Sequence, residues 1–83
     1  MRLIGRGKIT DLGVGDNKAS KWLRAWASDV EHSQWAAPSD LQSCYPSAML
    51  LDRNTFRFDV GGVATLDVRF LFEQRIACIL RLT

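Results

Sequence analysis

Eighty-three residues with 47% apolar content, three Trp and four Phe are enough for one small packed domain and too apolar to read as disordered. A formal charge of +2, from eight Arg and three Lys against seven Asp and two Glu, is too slight to announce nucleic-acid binding by itself. No run approaches the roughly 18 apolar residues of a membrane span and MRLIGRGK lacks the apolar stretch of a signal peptide, so a cytoplasmic protein that needs no membrane is expected.

Arg2-Leu3-Ile4 is a short apolar run that ends at Gly5, as an edge strand does. Ile9 and Leu12, three apart, allow one or two helical turns before Gly13 and Gly15, each of which costs about 1 kcal/mol in a helix interior. From Asp16 the pattern changes. Ala19, Trp22, Leu23, Trp26 and Val30 form one helical stripe, with Asp16 or Asn17 placed to cap it and Lys18, Lys21 and Arg24 on the solvent side. Trp22 and Trp26 are therefore expected in the core. His32 falls at the end of that helix, where it suits the C-terminal dipole.

Pro38-Ser39-Asp40-Leu41 starts a second helix, with Ser39 or Asp40 as its cap, and Tyr45-Pro46 ends it soon after. Asp52-Arg53-Asn54 reads as a turn. Cys44 and Cys78 fit no metal-ligand spacing, and His32 is the one further soft ligand. No metal, cofactor or small-molecule ligand is expected, and both cysteines read as reduced core residues.

The last third alternates. Phe56, Phe58 and Val60 share one face of a strand, and Leu66, Val68, Phe70 and Phe72 share one face of the next. A two-residue turn at Gly61-Gly62 would set Phe58 against Thr65 and Phe56 against Asp67. A three-residue loop, Gly61-Gly62-Val63, sets Phe58 against Leu66 and Phe56 against Val68 instead, and is preferred because a slip by one residue reverses every side chain. A second loop, Glu73-Gln74-Arg75, would pair Phe72 with Ile76, Phe70 with Cys78, Val68 with Leu80 and Leu66 with Leu82. The opposite face then carries Arg57, Asp67 and Arg81 in one row and Thr55, Arg69 and Ile79 in the next. With helices on the apolar face, the arginine-bearing face is the expected working surface. Guanidinium groups suit an RNA phosphate and the charge that builds on it during phosphoryl transfer, so Arg57, Arg69 and Arg81 are the RNA-binding candidates. A plain row of ion pairs about Asp67 is the structural alternative.

Several segments together resemble the HigB family of toxins: Arg2-Leu3-Ile4, Leu23-Arg24-Ala25-Trp26, Trp35 before Pro38-Ser39-Asp40-Leu41, Tyr45-Pro46-Ser47-Ala48, and Asn54 through Gly62 (NTFRFDVGG). The resemblance implies a RelE-like α+β fold, with helices on one face of a small antiparallel sheet and a C-terminal three-stranded meander. It implies a type II toxin-antitoxin toxin that cuts mRNA on the ribosome, with a helix-turn-helix antitoxin as cognate partner. The family's second strand has Asn, an aromatic and Arg early on, where this chain has Val63-Ala64-Thr65-Leu66; the family continues into a Thr-His-x-x-Tyr segment, where this sequence ends at Leu82-Thr83. Residues 1–83 are accordingly read as one HigB-like toxin domain lacking that C-terminal segment. No catalytic residue is assigned. Two outcomes are left open: an mRNA interferase of full, weakened or lost activity, and a non-catalytic truncated scaffold that binds antitoxin or ribosome.

Overall fold

A computed structural model describes residues 1–10 and 18–83. Its elements run β1 (Arg2–Ile4), α1 (Gly7–Thr10), α2 (Lys18–His32), α3 (Pro38–Cys44), β2 (Met49–Leu50), β3 (Thr55–Val60), β4 (Ala64–Leu71) and β5 (Ile76–Leu82). The strands form one sheet in the order β1-β5-β4-β3-β2. The fold class is α+β, as expected, but the sheet is mixed: β1 runs parallel to β5, while every other pairing is antiparallel. A parallel neighbour needs a crossover, and the helices between β1 and β5 in sequence supply it. The one helical turn of α1 accords with the expectation around Ile9. Leu12, Gly13, Gly15 and the Asp16 or Asn17 cap lie outside the described residues.

The helical stripe of α2 is buried as its spacing requires. Ala19, Leu23, Trp26, Ala27 and Val30 are in the core, Trp22 packs partly buried against it, and Lys18, Lys21 and Arg24 are exposed. Several donors meet the carbonyls at its end. His32 Nδ1 donates to Ser28 O at 2.8 Å, since a carbonyl can only accept; the Met1 ammonium donates to Glu31 O and Ser33 O at 3.2 and 3.3 Å. In α3, Ala37 is the N-cap and Pro38 the first helical residue. Asp40, three positions on, reaches back to the Ala36 and Ala37 amides at 2.9 and 3.2 Å, so the acidic residue supports the helix start from inside the first turn.

These helices pack on one face of the sheet around an aromatic cluster. Trp26 and Phe58 meet edge to face at 5.6 Å, Tyr45 and Phe58 at 5.5 Å, and Phe56 and Phe70 at 5.8 Å. The β3–β4 hairpin has the preferred register: Phe58 opposite Leu66, Phe56 opposite Val68, and a loop of residues 61–63. Gly61 and Gly62 both take positive φ there, at 60° and 79°, which explains the glycine pair.

The β4–β5 register departs from expectation. Leu66 does face Leu82, but the pairing shifts at Asp67/Val68, so that Val68 faces Ile79 and Phe70 faces Ala77. Leu80 is the extra residue of a β-bulge. The loop is correspondingly one residue longer, residues 72–75, with Leu71 opposite Ile76 and Arg75 at φ 58°. Ile79 and Ala77 therefore enter the core, both fully buried, in place of Leu80 and Cys78. Cys78 is half-buried outside that core, and Cys44 is exposed at the end of α3, so neither is the core cysteine expected. The strand β2, for which no expectation was made, closes the sheet beside β3.

Candidate functional site

The strand alternation that buries Phe56, Phe58, Leu66 and Val68 turns Arg57 and Asp67 to the other face. Arg57 stands opposite Asp67, and Asp67 opposite Arg81, so the expected row forms. Arg57 donates from Nε to Asp67 Oδ1 at 2.9 Å and from Nη2 to Oδ2 at 3.1 Å, a two-pronged pairing that fixes the guanidinium plane. Arg81 donates from Nε to Oδ2 at 2.9 Å. The Asp67 side chain is only 4% exposed, whereas those of Arg57 and Arg81 are 38% and 64% exposed. A buried carboxylate thus orients two cations that still reach solvent. The hydrogen bonds from Arg57 hold the Asp67 carboxyl below its usual range; burial opposes this, and Arg81 adds to it.

Arg69 lies in the next row, opposite Thr55. Its neighbour on β5 is Cys78, not Ile79, because the bulge has moved Ile79 to the core face. Arg69 is exposed, and its nearby charge acts on Asp52. The Asp52 carboxylate accepts from the Asn54 amide at 3.3 Å. It is held below its ordinary value chiefly by that amide and next by Thr55, with the Arg69 charge the smallest contribution in the same sense. The Asp52-Arg53-Asn54 turn was legible in the sequence, but its approach to Arg69 was not, since that requires β2 and β3 to be paired. The array therefore unites Arg57 and Arg81 directly, with Arg69 one row along.

His32 and Tyr45 are the chain's one His and one Tyr. Both belong to the helical side. His32 ends α2, and Tyr45 packs on Phe58 while its hydroxyl donates to Asp29 Oδ2 at 2.6 Å. Burial, reinforced by Asp29, raises the Tyr45 phenol well above its ordinary value. Neither side chain can serve a phosphate held at the arginine row without a rearrangement through the core. Among the described residues no helix is long and apolar enough to cross a membrane.

Helices on one face of a five-stranded mixed sheet, and a charged row on the other, place the molecule among small α+β proteins of the RelE-like kind. Residues 19–82 match the family model of HigB toxins, described as the RelE-like toxic component of a toxin-antitoxin system, and the chain belongs to that family. No curated protein matches it. As the toxin of such a pair it implies an antitoxin partner.

Proposed function

We propose that this toxin is a ribosome-dependent mRNA endoribonuclease whose RNA phosphate is held by Arg57, Arg69 and Arg81. The observation that carries the reading is the row in which buried Asp67 orients Arg57 and Arg81 toward solvent. In the reaction the ribose 2′-oxygen bonds to the adjacent phosphorus, the 5′-oxygen leaves, and the 2′-hydroxyl proton ends on that leaving oxygen. The products are a 2′,3′-cyclic phosphate and a 5′-hydroxyl. Charge on the phosphoryl oxygens rises in the transition state, and fixed guanidinium donors stabilise it most there. The three arginines act by positioning and electrostatics, and His32 and Tyr45, on the helical side, take no part in proton transfer. Residues 1–83 act as one toxin domain in the cytoplasm, and the cognate antitoxin is a helix-turn-helix protein.

A second reading, a non-catalytic scaffold that binds antitoxin or ribosome, is favoured by the state of Asp67. Paired with two arginines and held ionised, it is a poor proton acceptor. Inducible expression followed by mapping of mRNA ends on translating ribosomes separates the two. New 5′ ends should appear with the wild type, and Arg69→Ala or Arg81→Ala should lower cleavage by roughly 10²-fold while leaving circular dichroism unchanged. Uncut transcripts and unchanged growth would overturn the enzyme reading.

A further inference from the structure

Among the described residues β2 forms one open edge of the sheet, and its surface is unusual for an edge. Met49, Leu50 and Leu51 are consecutive, apolar and 59%, 47% and 40% exposed. Edge strands are ordinarily protected by charge, proline or covering structure, because their unpaired backbone invites another strand.

The backbone geometry identifies the free groups. Leu51 N donates to Thr55 O at 2.8 Å, and Met49 and Leu50 stand opposite Arg57 and Phe56. Bonded and non-bonded pairs alternate in an antiparallel ladder, so Leu51–Thr55 and Met49–Arg57 are the bonded pairs. Leu50 therefore turns its N–H and C=O away from β3, toward the open edge. Side chains alternate as well: Met49 and Leu51 lie on the arginine-bearing face and Leu50 on the helical face, so the edge is apolar on both sides. Since β2 has two residues, it offers few backbone bonds, and apolar burial must supply most of any affinity.

We propose that Met49-Leu50-Leu51 is the docking strand for an extended apolar segment of the cognate antitoxin, which adds to the sheet beside β2. The occupant follows from membership in a toxin family, which implies an antitoxin, and from an edge that presents unpaired backbone and apolar side chains together. The consequence is positional. Met49 begins the row that continues through Arg57, Asp67 and Arg81, so a segment paired to β2 lies alongside the cationic array and can obstruct it. The inference rests on the family assignment and not on RNA cleavage.

The probe is the purified protein encoded by the reading frame adjacent to this one, titrated calorimetrically into the toxin chain. Leu50→Pro deletes the outward N–H without touching the β2–β3 bonds, and Leu51→Lys places a charge in the apolar strip. Each should weaken binding at least tenfold, while Val63→Lys, on the exposed β3–β4 hairpin, should not. Hydrogen exchange at the Leu50 amide should slow in the complex. If Leu50→Pro fails to fold, Leu51→Lys and the exchange measurement on the wild type decide the matter. Wild-type affinity in Leu51→Lys, unchanged Leu50 exchange or no complex with the wild type overturns the proposal. So does protection of Leu50 that rises with the concentration of the toxin alone, which would assign the edge to a second copy. Cleavage of mRNA is scored separately, so a toxin that cuts no RNA but loses its partner on Leu51→Lys still supports the docking site.

Discussion

Replacing Asp67 by Asn tests whether the buried carboxylate organises the arginine row. The carboxylate accepts three hydrogen bonds, one on Oδ1 from Arg57 and two on Oδ2 from Arg57 and Arg81. An amide of the same shape has a single oxygen. Oriented to keep the two bonds at Oδ2, it points its own NH₂ at Arg57 Nε, donor against donor. Hydrogen bonds to charged groups contribute about 1.5–3 kcal/mol each, but these guanidiniums can recover water, so the net loss should be about 1–3 kcal/mol. In a domain of this size that corresponds to a melting temperature lower by roughly 5–15 °C at pH 7. The pH dependence is the sharper test. Because folding depresses the Asp67 pKa, its contribution is full above the ordinary aspartate value near pH 4 and is lost as pH falls through the folded value. Urea denaturation of both proteins from pH 7 to pH 2 should show their difference shrinking at the acid end, where the wild type also carries a neutral side chain. Equal stability at pH 7, or a gap that persists unchanged in acid, would refute the ion-row account.

Other substitutions test packing and backbone. Trp26 is fully buried and its indole N–H has no hydrogen-bond partner among the described residues, so Trp26→Ala should cost about 3–5 kcal/mol and Trp26→Phe only about 1–2 kcal/mol in denaturant titrations. Gly5 has φ +90°, and a Cβ there would sit 3.0 Å from the Ile79 carbonyl oxygen, so Gly5→Ala should lower stability by about 1–3 kcal/mol. Gly62→Ala, at φ +79° with open space around it, should cost less by the same measurement. Tyr45 ionises later in the folded chain than in the unfolded one, so its contribution is intact below about pH 10 and declines above it. Alkaline denaturation of Tyr45→Phe should be correspondingly shallower than that of the wild type.

Periodicity made much of this molecule legible. The α2 stripe, the Pro38 start of α3, the Gly61-Gly62 hairpin and the Arg57–Asp67 pair follow from spacing, because each involves neighbours in sequence or a register that one loop length sets, whereas Arg81 meets Asp67 only because the bulge at Leu80 offsets a loop one residue longer than expected. Residues 76–82 are apolar at both parities, so alternation there could not choose between Cys78 and Leu80 on one hand and Ala77 and Ile79 on the other. Tertiary structure chose. Leu3 of the parallel strand β1 stands opposite Ala77, small Ala77 stands opposite Phe70, and Gly5 approaches Ile79 closely; the bulge at Leu80 reconciles those contacts with the Arg81–Asp67 pairing. The placement of β1 beside β5 and of β2 at the edge was equally hidden, since a strand of two or three residues carries too little pattern to announce its partner. By itself the sequence determined which residues alternate and which charges share a face. Only the fold decided which of two apolar faces of β5 is buried and where an exposed apolar edge is left, because those outcomes depend on contacts between segments far apart along the chain.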